Sequence, residues 1–274
     1  MNNFKHKNIY NTKHFIDSNY NKLISIKDLE NISFCSYRNL QRIFFSLFNE
    51  TIGAYKTRLK IENGYKLLLY SKMQLTDIAL EIGFSDIQSF SKAFKNNFGF
   101  APSEALNNKE ILFKEHNIVL SINQKLIPEI IDIPVKLVYY KNYRTNYINP
   151  EIEVFWGDFM VNLNTDLPFE YFGLIKDDLV ITNKVKCTYE TCILADEYDL
   201  KLPKKEILGS KYAKFTHKGT YESLENTYSQ IYGGWILENQ LEFSFLPIIE
   251  HYLKHEANTD DENDFVTDIL IPLL

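Results

Sequence analysis

The sequence contains no run of about 18 apolar residues, and no apolar stretch follows its first residues, so we expect neither a membrane span nor a secretion signal. Cysteine is also scarce, with Cys35, Cys187 and Cys192 the only three in 274 residues. This number favours buried thiols in a reducing compartment over a disulfide framework. Together these absences predict a cytoplasmic protein.

Motifs of catalysis and metal binding are absent as well. The sequence has no glycine-rich phosphate loop and no nucleophile turn of the hydrolase type. His251 and His255 are four residues apart, but they lie at the end of a predicted strand, where this spacing does not give the shared face that a metal site needs. We therefore expect no cofactor, no metal site and no enzymatic activity.

Charge divides the chain into two unlike halves. Residues 1–110 contain 15 Lys and Arg against 10 Asp and Glu, whereas residues 111–274 contain 15 against 26, so the net charges are +5 and −11. Because DNA phosphates attract basic surfaces and repel acidic ones, only the first half is suited to contact nucleic acid.

Periodicity predicts two domains of different class. In residues 1–108 apolar positions recur every three or four residues, which predicts an all-α domain with two helix-turn-helix units. Residues 109–274 predict an α+β domain in which the order strand-helix-strand-strand occurs twice. The predicted helices cover residues 150–163 and 221–237, and the predicted strands cover residues 135–140, 169–176, 185–195, 211–217, 242–253 and 265–270.

The clearest helix-turn-helix signal surrounds Gly83, which supplies the positive φ of a tight turn between helices. Ser85 with Gln88 matches a capping box at the start of the next helix, where Phe90 and Phe94 share one face. The residues on the opposite face are Gln88, Lys92 and Lys95. Such a face suits base edges and phosphates in the major groove. Capping alone for Gln88 and a solvated face for the lysines are the alternatives.

A second unit upstream repeats this arrangement. The predicted helix 37–48 buries Leu40, Phe44 and Phe48. The polar residues on its opposite side are Arg38, Gln41 and Arg42. A helix over residues 55–70, about 24 Å long, separates the units and can hold two recognition helices near the ~34 Å between successive major-groove faces. One chain can then read two turns of DNA as a monomer or weak dimer.

Residues 9–102 resemble the AraC/XylS transcription regulators. The motifs that carry the resemblance are Leu40-Gln41-Arg42-Ile43-Phe44, Arg58-Leu59, Leu67-Leu68, Ile78-Ala79, Gly83-Phe84-Ser85, Phe90 to Lys95 and Phe98-Gly99-Phe100-Ala101-Pro102. The base and phosphate contacts that this resemblance implies come from Arg38, Gln41, Arg42, Gln88 and Lys92.

This sequence departs from the family pattern at several positions. Glu30 and Phe34 stand where a small residue and a turn glycine are usual, and Phe45 stands where a basic residue is common. Gly64 replaces an alanine. We expect Phe45 to remove a phosphate partner and Gly64 to lower helix stability by about 1 kcal/mol.

The second half resembles GyrI-like effector-binding domains, which occur fused to AraC-type halves and bind small molecules in a cleft between two repeats. The segments that carry this resemblance are residues 211–221, 228–235, 247–252 and 269–272. Similar domains place a glutamate that faces the ligand at the position of Glu250. On the predicted strand Glu250 shares one face with Ile248 and Tyr252, so its burial would disfavour the charged form unless a cation or hydrogen-bond donors compensate.

An aromatic cleft with one carboxylate suits a hydrophobic cation, which the charge of −11 would attract. The predicted ligand-binding residues are Glu250, Trp235, Trp156, Tyr139, Phe172 and Tyr189. A solvent-facing glutamate and aromatic residues that belong only to the core are the alternatives.

The sequence therefore predicts a ligand-tuned transcription regulator. Its predicted partners are double-stranded DNA, a small-molecule effector and RNA polymerase. In one alternative the second domain hydrolyses small reactive compounds with Glu250 as general acid or base. In another it is a protein-interaction module without a ligand.

Overall fold

The computed structural model divides the chain into two compact units, Met1–Asn108 and Lys109–Leu274. The residues that it describes are 2–107, 126–145, 151–161, 163, 170–178, 180–182, 187–195, 200–236, 244 and 246–273. Within these ranges, no helix combines the length and the apolar character needed to cross a bilayer.

The first unit is helical, as predicted. Its described helices are α1 (Asn2–Ser18), α2 (Ile26–Ser33), α3 (Tyr37–Phe48), α4 (Ile52–Tyr70), α5 (Leu75–Glu81), α6 (Ile87–Phe98) and α7 (Pro102–Asn107). The pairs α2–α3 and α5–α6 are the two helix-turn-helix units, and α4 connects them. Leu40 and Phe44 of α3 and Phe90 and Phe94 of α6 are fully buried, so both second helices expose the faces that the sequence assigned to DNA.

The turn before α3 uses two of the residues that depart from the family pattern. Phe34 adopts the left-handed conformation (φ 53°) in the place expected for a turn glycine. Ser36 is the N-cap residue of α3 by position. The side-chain acceptor at this helix end is Glu30, whose Oε1 accepts a hydrogen bond from the backbone N–H of Tyr37 at 2.7 Å. Glu30 therefore satisfies a donor that helix geometry leaves unpaired.

The turn before α6 confirms one prediction and corrects another. Gly83 has φ +79°, as predicted. The capping box predicted for Ser85 and Gln88 is wrong, because the N-cap residue is Asp86, whose Oδ1 accepts a hydrogen bond from the N–H of Ser89 at 2.6 Å. Ser85 supports this cap by donating its hydroxyl to Asp86 Oδ2 at 2.7 Å. A carboxylate at this position also interacts favourably with the positive end of the helix dipole.

The connector α4 is tied to the first helix pair by a buried ion network. Arg58 is only 7% exposed. Its guanidinium lies 3.2 Å from Glu50, which follows α3, and 3.1 Å from Glu62 on the next turn of α4. Because both carboxylates are also buried, Arg58 fixes the end of α3 against the connector.

The same connector packs closely against the second helix pair. A Cβ added to Gly64 would stand 2.6 Å from Ile82 Cδ1 and 2.9 Å from Phe90 Cε2. The helix-stability loss expected at Gly64 is therefore offset by a close approach that an alanine would disturb. Lys60 of α4 also donates a hydrogen bond to the backbone carbonyl of Gly83.

The helix α1 and the segment after it contact both helix-turn-helix pairs. Ile9 and Ile16 are buried in the cluster that contains α3 side chains. Beyond the helix, Asn21 Nδ2 donates to the carbonyl of Glu81 at 3.2 Å. The Asn21 carbonyl approaches Gly83 so closely that a Cβ there would collide with it. The spacing of the two pairs thus depends on α1 as well as on the connector.

The second unit is built on one antiparallel sheet. Its described strands are β1 (Glu129–Ile133), β2 (Lys136–Thr145), β3 (Tyr171–Ile175), β4 (Cys187–Leu194), β5 (Lys204–Ile207), β6 (Ser210–Lys218), β7 (Ile248–Lys254) and β8 (Val266–Pro272). Their order across the sheet is β1-β6-β8-β7-β3-β4-β2-β5. At the centre, Glu250 of β7 pairs with Gly173 of β3 on one side and Ile269 of β8 on the other.

Helices follow two of these strands. α8 (Ile152–Val161) follows β2, and a 3-10 turn (Tyr221–Ser223), α9 (Leu224–Gln230) and a π-helical segment (Ile231–Ile236) follow β6. The single regular helix predicted for residues 221–237 is therefore wrong within the described part. The adjacent glycines 233 and 234, which are weak helix formers, lie in the π-helical segment.

The strand predicted to begin at residue 242 begins at Ile248. Pro247 precedes it and has no N–H to donate to a neighbouring strand. Parts of the predicted ranges fall outside the described residues, namely 150, 162, 169, 185–186, 237, 242–243 and 245.

The two faces of the sheet are buried against different groups. On one face, called here the helix face, Tyr171 and Tyr252 pack with Phe159 and Trp156 of α8. On the opposite face, a cluster that includes Phe172, Leu174 and Ile249 is buried. Since side chains alternate along a strand, Glu250 lies on the helix face with Tyr252.

We expect Arg58→Ala to lower the free energy of unfolding by about 3–5 kcal/mol, because the change leaves Glu50 and Glu62 buried without their cation. Arg42→Ala is the matched control, since Arg42 is exposed, and should change stability by less than about 0.5 kcal/mol. Denaturant unfolding of the full chain, followed by far-ultraviolet circular dichroism, measures both. Equal destabilisation by the two variants would contradict the role given to Arg58.

Candidate functional sites

The outer face of α3 carries the polar side chains predicted to read DNA. Arg38, Gln41 and Arg42 are all exposed, because the opposite side of this amphipathic helix is buried. Arg42 Nη2 donates to Asn39 Oδ1 at 2.9 Å, which orients its guanidinium on the surface. Two cations and an amide are therefore available to a ligand that approaches this face.

The outer face of α6 has a similar character. Gln88, Lys92 and Lys95 are exposed, while Phe90 and Phe94 point into the core. The cap on Asp86 leaves Gln88 outside the capping interaction that the sequence had suggested for it. The three side chains recur at intervals of three and four residues, so they form one stripe along the helix.

A buried carboxylate lies on the helix face of the second unit. Glu250 is 3% exposed. Its Oε1 accepts a hydrogen bond from the Tyr228 hydroxyl at 2.8 Å, and its Oε2 accepts one from the Tyr252 hydroxyl at 2.5 Å. The Tyr189 hydroxyl lies 3.4 Å from Oε2. These three tyrosines come from α9, β7 and β4, so the carboxylate is enclosed from several directions.

The hydroxyl groups continue as a chain of hydrogen bonds away from Glu250. The Tyr189 and Tyr252 oxygens are 2.7 Å apart, and Tyr189 is the donor because Tyr252 gives its proton to Glu250. Trp156 Nε1 in turn donates to the Tyr189 oxygen at 3.3 Å. Successive hydrogen bonds of this kind polarise one another, which strengthens the last bond to the carboxylate.

Gly173 makes the approach of Tyr189 to Glu250 possible. It lies on β3, between β4 and β7, directly opposite both Thr191 and Glu250. A Cβ at Gly173 would collide with the Tyr189 hydroxyl and would stand 3.0 Å from Glu250 Oε2. A glycine inside a strand often marks such a close approach, and here it lets one side chain cross the neighbouring strand.

Among the described residues, the hydrogen-bond partners of Glu250 are all neutral hydroxyls. A second buried carboxylate, Glu190 on the opposite face, is treated differently. Lys205 and Lys176 both form ion pairs with it. Of these two buried glutamates, Glu190 has lysine partners and Glu250 has none in the part of the domain that the structure describes.

Burial raises the pKa of the Glu250 carboxyl above its ordinary value, and the hydrogen bonds from tyrosine hydroxyls oppose this shift only in part. Burial also raises the pKa of Tyr189, Tyr228 and Tyr252 well above the usual value. The tyrosines therefore stay protonated and remain donors across the physiological range. The site therefore combines a desolvated carboxylate with an aromatic surrounding.

A family model described as a GyrI-like small molecule binding domain matches residues 127–274, more than half of the chain. The chain belongs to the GyrI-like family. A model described as a helix-turn-helix domain matches residues 30–108, and this domain is of the AraC type. Both resemblances seen in the sequence are confirmed.

Several known proteins are similar to parts of this chain. The Msm operon regulatory protein of Streptococcus mutans is 34% identical over 92 residues, which make up 34% of this chain and 33% of that protein. The Right origin-binding protein of Escherichia coli strain K12 is 25% identical over 219 residues, 71% of this chain and 72% of that protein. The solved C-terminal domain of EcmrR has a TM-score of 0.42 and 20% identity, covering 54% of this chain and 97% of that domain. The chain spans about a third of the length of curated relatives such as the Msm protein.

The GyrI-like domain brings together three of its six predicted ligand residues, Glu250, Tyr189 and Trp156. Tyr139 lies on the helix face, but it is fully buried on β2 and its hydroxyl accepts a hydrogen bond from the N–H of Leu200 at 2.9 Å. Tyr139 therefore has a structural partner outside the Glu250 cluster.

Two further predictions are corrected by strand and helix geometry. Phe172 points to the opposite face of the GyrI-like sheet, where its ring stacks on His251 at 4.6 Å. It is therefore not placed beside Glu250. Trp235 is buried against Phe215 of β6, with ring centroids 5.0 Å apart, and Ile269 of β8 lies between Phe215 and Glu250 in the sheet.

Three further residues of the GyrI-like site were not predicted from the sequence, namely Tyr252, Tyr228 and Gly173. Tyr252 is two residues from Glu250 on one strand, so alternation could have identified it. For Tyr228 the signal was only its place on an aromatic helix. Trp156, Tyr228 and the nearby Tyr221 are each partly exposed.

We expect Glu250→Gln to stabilise the GyrI-like domain, and to do so more strongly as the pH rises. A raised native pKa means that folding favours the protonated carboxyl, so this contribution is present at low pH and is lost as the pH rises through the native pKa. The glutamine variant keeps the size of the side chain and cannot ionise. Thermal unfolding of both proteins at a series of pH values from acidic to neutral measures the difference, and a difference that does not vary with pH would contradict the assignment.

Proposed function

We propose that this protein is a DNA-binding transcription regulator whose GyrI-like domain binds a small hydrophobic cation as its effector. The observation that carries the effector half is Glu250, a buried carboxylate whose described hydrogen-bond donors are neutral. The observation that supports the DNA half is a pair of exposed, basic helix faces on one helical unit. We propose a cytoplasmic location, since both partners would be met there.

The DNA half of the proposal rests on charge and on rigidity. The first 110 residues carry a net charge of +5, and the cations on α3 and α6 are exposed to a phosphate backbone. The 19 residues of α4 give a connector about 28 Å long. This length suits two reading helices in successive turns of the major groove, so the protein would bind as a monomer or weak dimer.

The part of the proposal that concerns the effector depends on the cost of burying a carboxylate whose described partners include no cation. A carboxylate removed from water is stabilised most by a cation in direct contact. Aromatic rings add attraction for a cation that has shed its water. Trp156, Tyr221 and Tyr252 supply such rings, with centroids 5.6 Å apart for Trp156 and Tyr252 and 5.8 Å apart for Tyr221 and Tyr252. A compact apolar cation would meet both requirements.

The names of the relatives agree with a DNA-bound role. One is described as an operon regulatory protein and another as an origin-binding protein. Effector binding would either change the affinity for DNA or present a surface to RNA polymerase. In both cases the effector must bind two states of the protein with different affinity.

A hydrolase is the second candidate, favoured by the 2.5 Å contact between Glu250 and Tyr252, which pairs two proton-transfer groups. The contact between Ser223 Oγ and His217 Nε2, 3.0 Å, does not provide a nucleophile. The Ser223 hydroxyl donates instead to the carbonyl of Thr220 at 2.7 Å. Turnover of a bound compound would favour the hydrolase, and saturable binding without turnover would favour the sensor.

We expect Arg42→Ala and Lys92→Ala each to weaken binding to a duplex selected with the full chain from genomic fragments. Removing a side chain that binds one phosphate should reduce the slope of log affinity against log salt by about 1, and removing one that reads a base should cost about 1–3 kcal/mol. Lys218→Ala is the control, since Lys218 is an exposed lysine of the second unit. Affinity and salt slope that match the parent protein in both variants would refute the assigned surfaces.

We expect benzyltrimethylammonium to bind the parent protein at least tenfold more tightly than Glu250→Gln. Its neutral isostere neopentylbenzene should bind the two proteins equally. Affinity for the cation should rise as the pH rises through the raised pKa of Glu250, because only the deprotonated carboxyl attracts it. Calorimetry in two buffers with different ionisation enthalpies measures both the affinity and the proton released. Equal cation affinity in the two proteins would remove Glu250 from the site.

A further inference from the structure

Phe45 interrupts the charged face of α3 with an aromatic ring. Its side chain is 50% exposed. At 3.6 residues per turn it projects about 20° from the direction of Arg38 and about 60° from that of Arg42. Phe45 therefore lies within the polar stripe and not at its border with the buried side.

The other two phenylalanines of α3 lie on the buried side of the helix. Phe44 and Phe48 are 0% and 4% exposed, and both pack into the core of the first unit. Phe45 instead leaves about half of its surface in water beside cations. An apolar side chain in that setting gains free energy from any partner that covers it.

The partner must also suit the cations around it. Arg38 and Arg42 attract polyanions, and a phenyl ring does not bind phosphate. In the major groove the one hydrocarbon group that base edges present is the C5 methyl of thymine, and aromatic side chains are among those that contact it. A ring next to two arginines on a reading helix thus matches a thymine near the phosphates or guanines that arginines bind.

We propose that Phe45 contacts a thymine methyl group and makes the first helix-turn-helix unit selective for thymine at one position. This inference rests on the proposed function, since it requires α3 to enter the major groove. Seven residues separate Phe45 from Arg38, which is about 10.5 Å along the helix. At 3.4 Å per base step, the thymine lies within about three base pairs of the base or phosphate that Arg38 contacts.

The test uses the full chain and the tightest duplex recovered by selection from random sequences. Each thymine of that duplex is replaced in turn by deoxyuridine, which removes only the methyl group and keeps the base pair. We expect one thymine, or two adjacent ones, at which the replacement weakens binding of the parent protein about three- to fivefold, the effect of one buried methyl group. Phe45→Ala should bind the unmodified duplex about as weakly as the parent protein binds the duplex that carries deoxyuridine at that position. Replacing that thymine should not weaken the binding of Phe45→Ala any further.

Two further variants serve as controls. Leu80→Ala removes another exposed apolar side chain, which lies on α5 and is 61% exposed, and it should keep the parent response to deoxyuridine. Phe45→Leu should keep part of that response, because it keeps an apolar side chain.

Three outcomes would overturn the inference. Phe45→Ala could lose as much affinity as the parent protein does when that thymine is replaced by deoxyuridine. It could also weaken binding by the same factor on every substituted duplex, which would indicate a contact with the sugar. The parent protein could also be insensitive to every replacement. Failure of the full chain to select any duplex would refute the proposed DNA-binding function itself, and with it this inference, so the two failures are distinguishable.

Discussion

Glu250 is buried in the centre of the GyrI-like sheet without a cation among its described partners, and the local structure is arranged around that charge. Gly173 leaves space for Tyr189 to cross β3, and three tyrosine hydroxyls surround the carboxylate, two of which donate to it directly. Donors of this kind reduce the electrostatic penalty of burial but do not remove it. Without a ligand the domain is therefore less stable than it would be with a fully compensated charge. A ligand that compensates the charge can supply the remaining stability.

The first unit solves a different problem, which is to keep two reading helices at a fixed separation. The connector α4 carries an ion network at one end and a glycine contact at the other, so each helix pair is attached by packing and not by a flexible loop. Local capping completes the arrangement, with Glu30 and Asp86 at the starts of α3 and α6. The residues on the exposed faces of these two helices need not contribute to folding, because packing of the buried faces supplies the stability.

The sequence was most informative where one face of an element is buried and the other is exposed. The amphipathic helices α3 and α6 therefore followed from periodicity, as did the exposure of Arg42 and Lys92. It was least informative on β3, whose residues are all buried. In such a strand apolar and polar residues do not alternate, so the sequence does not show which side chains share a face. Phe172 was predicted as a ligand residue, although its side chain lies on the face opposite Glu250.

The helix α1 lies before the start of the helix-turn-helix family match at residue 30. Its residues Ile9 and Ile16 are nevertheless part of the hydrophobic core, and the Asn21 carbonyl occupies the space beside Gly83. The part of the chain that folds together is therefore longer than the part that this family model matches. A fragment that begins at residue 30 would lack the core packing of α1 against the first reading helix and the contacts of Asn21 with the second pair, although it would contain every residue of both reading helices.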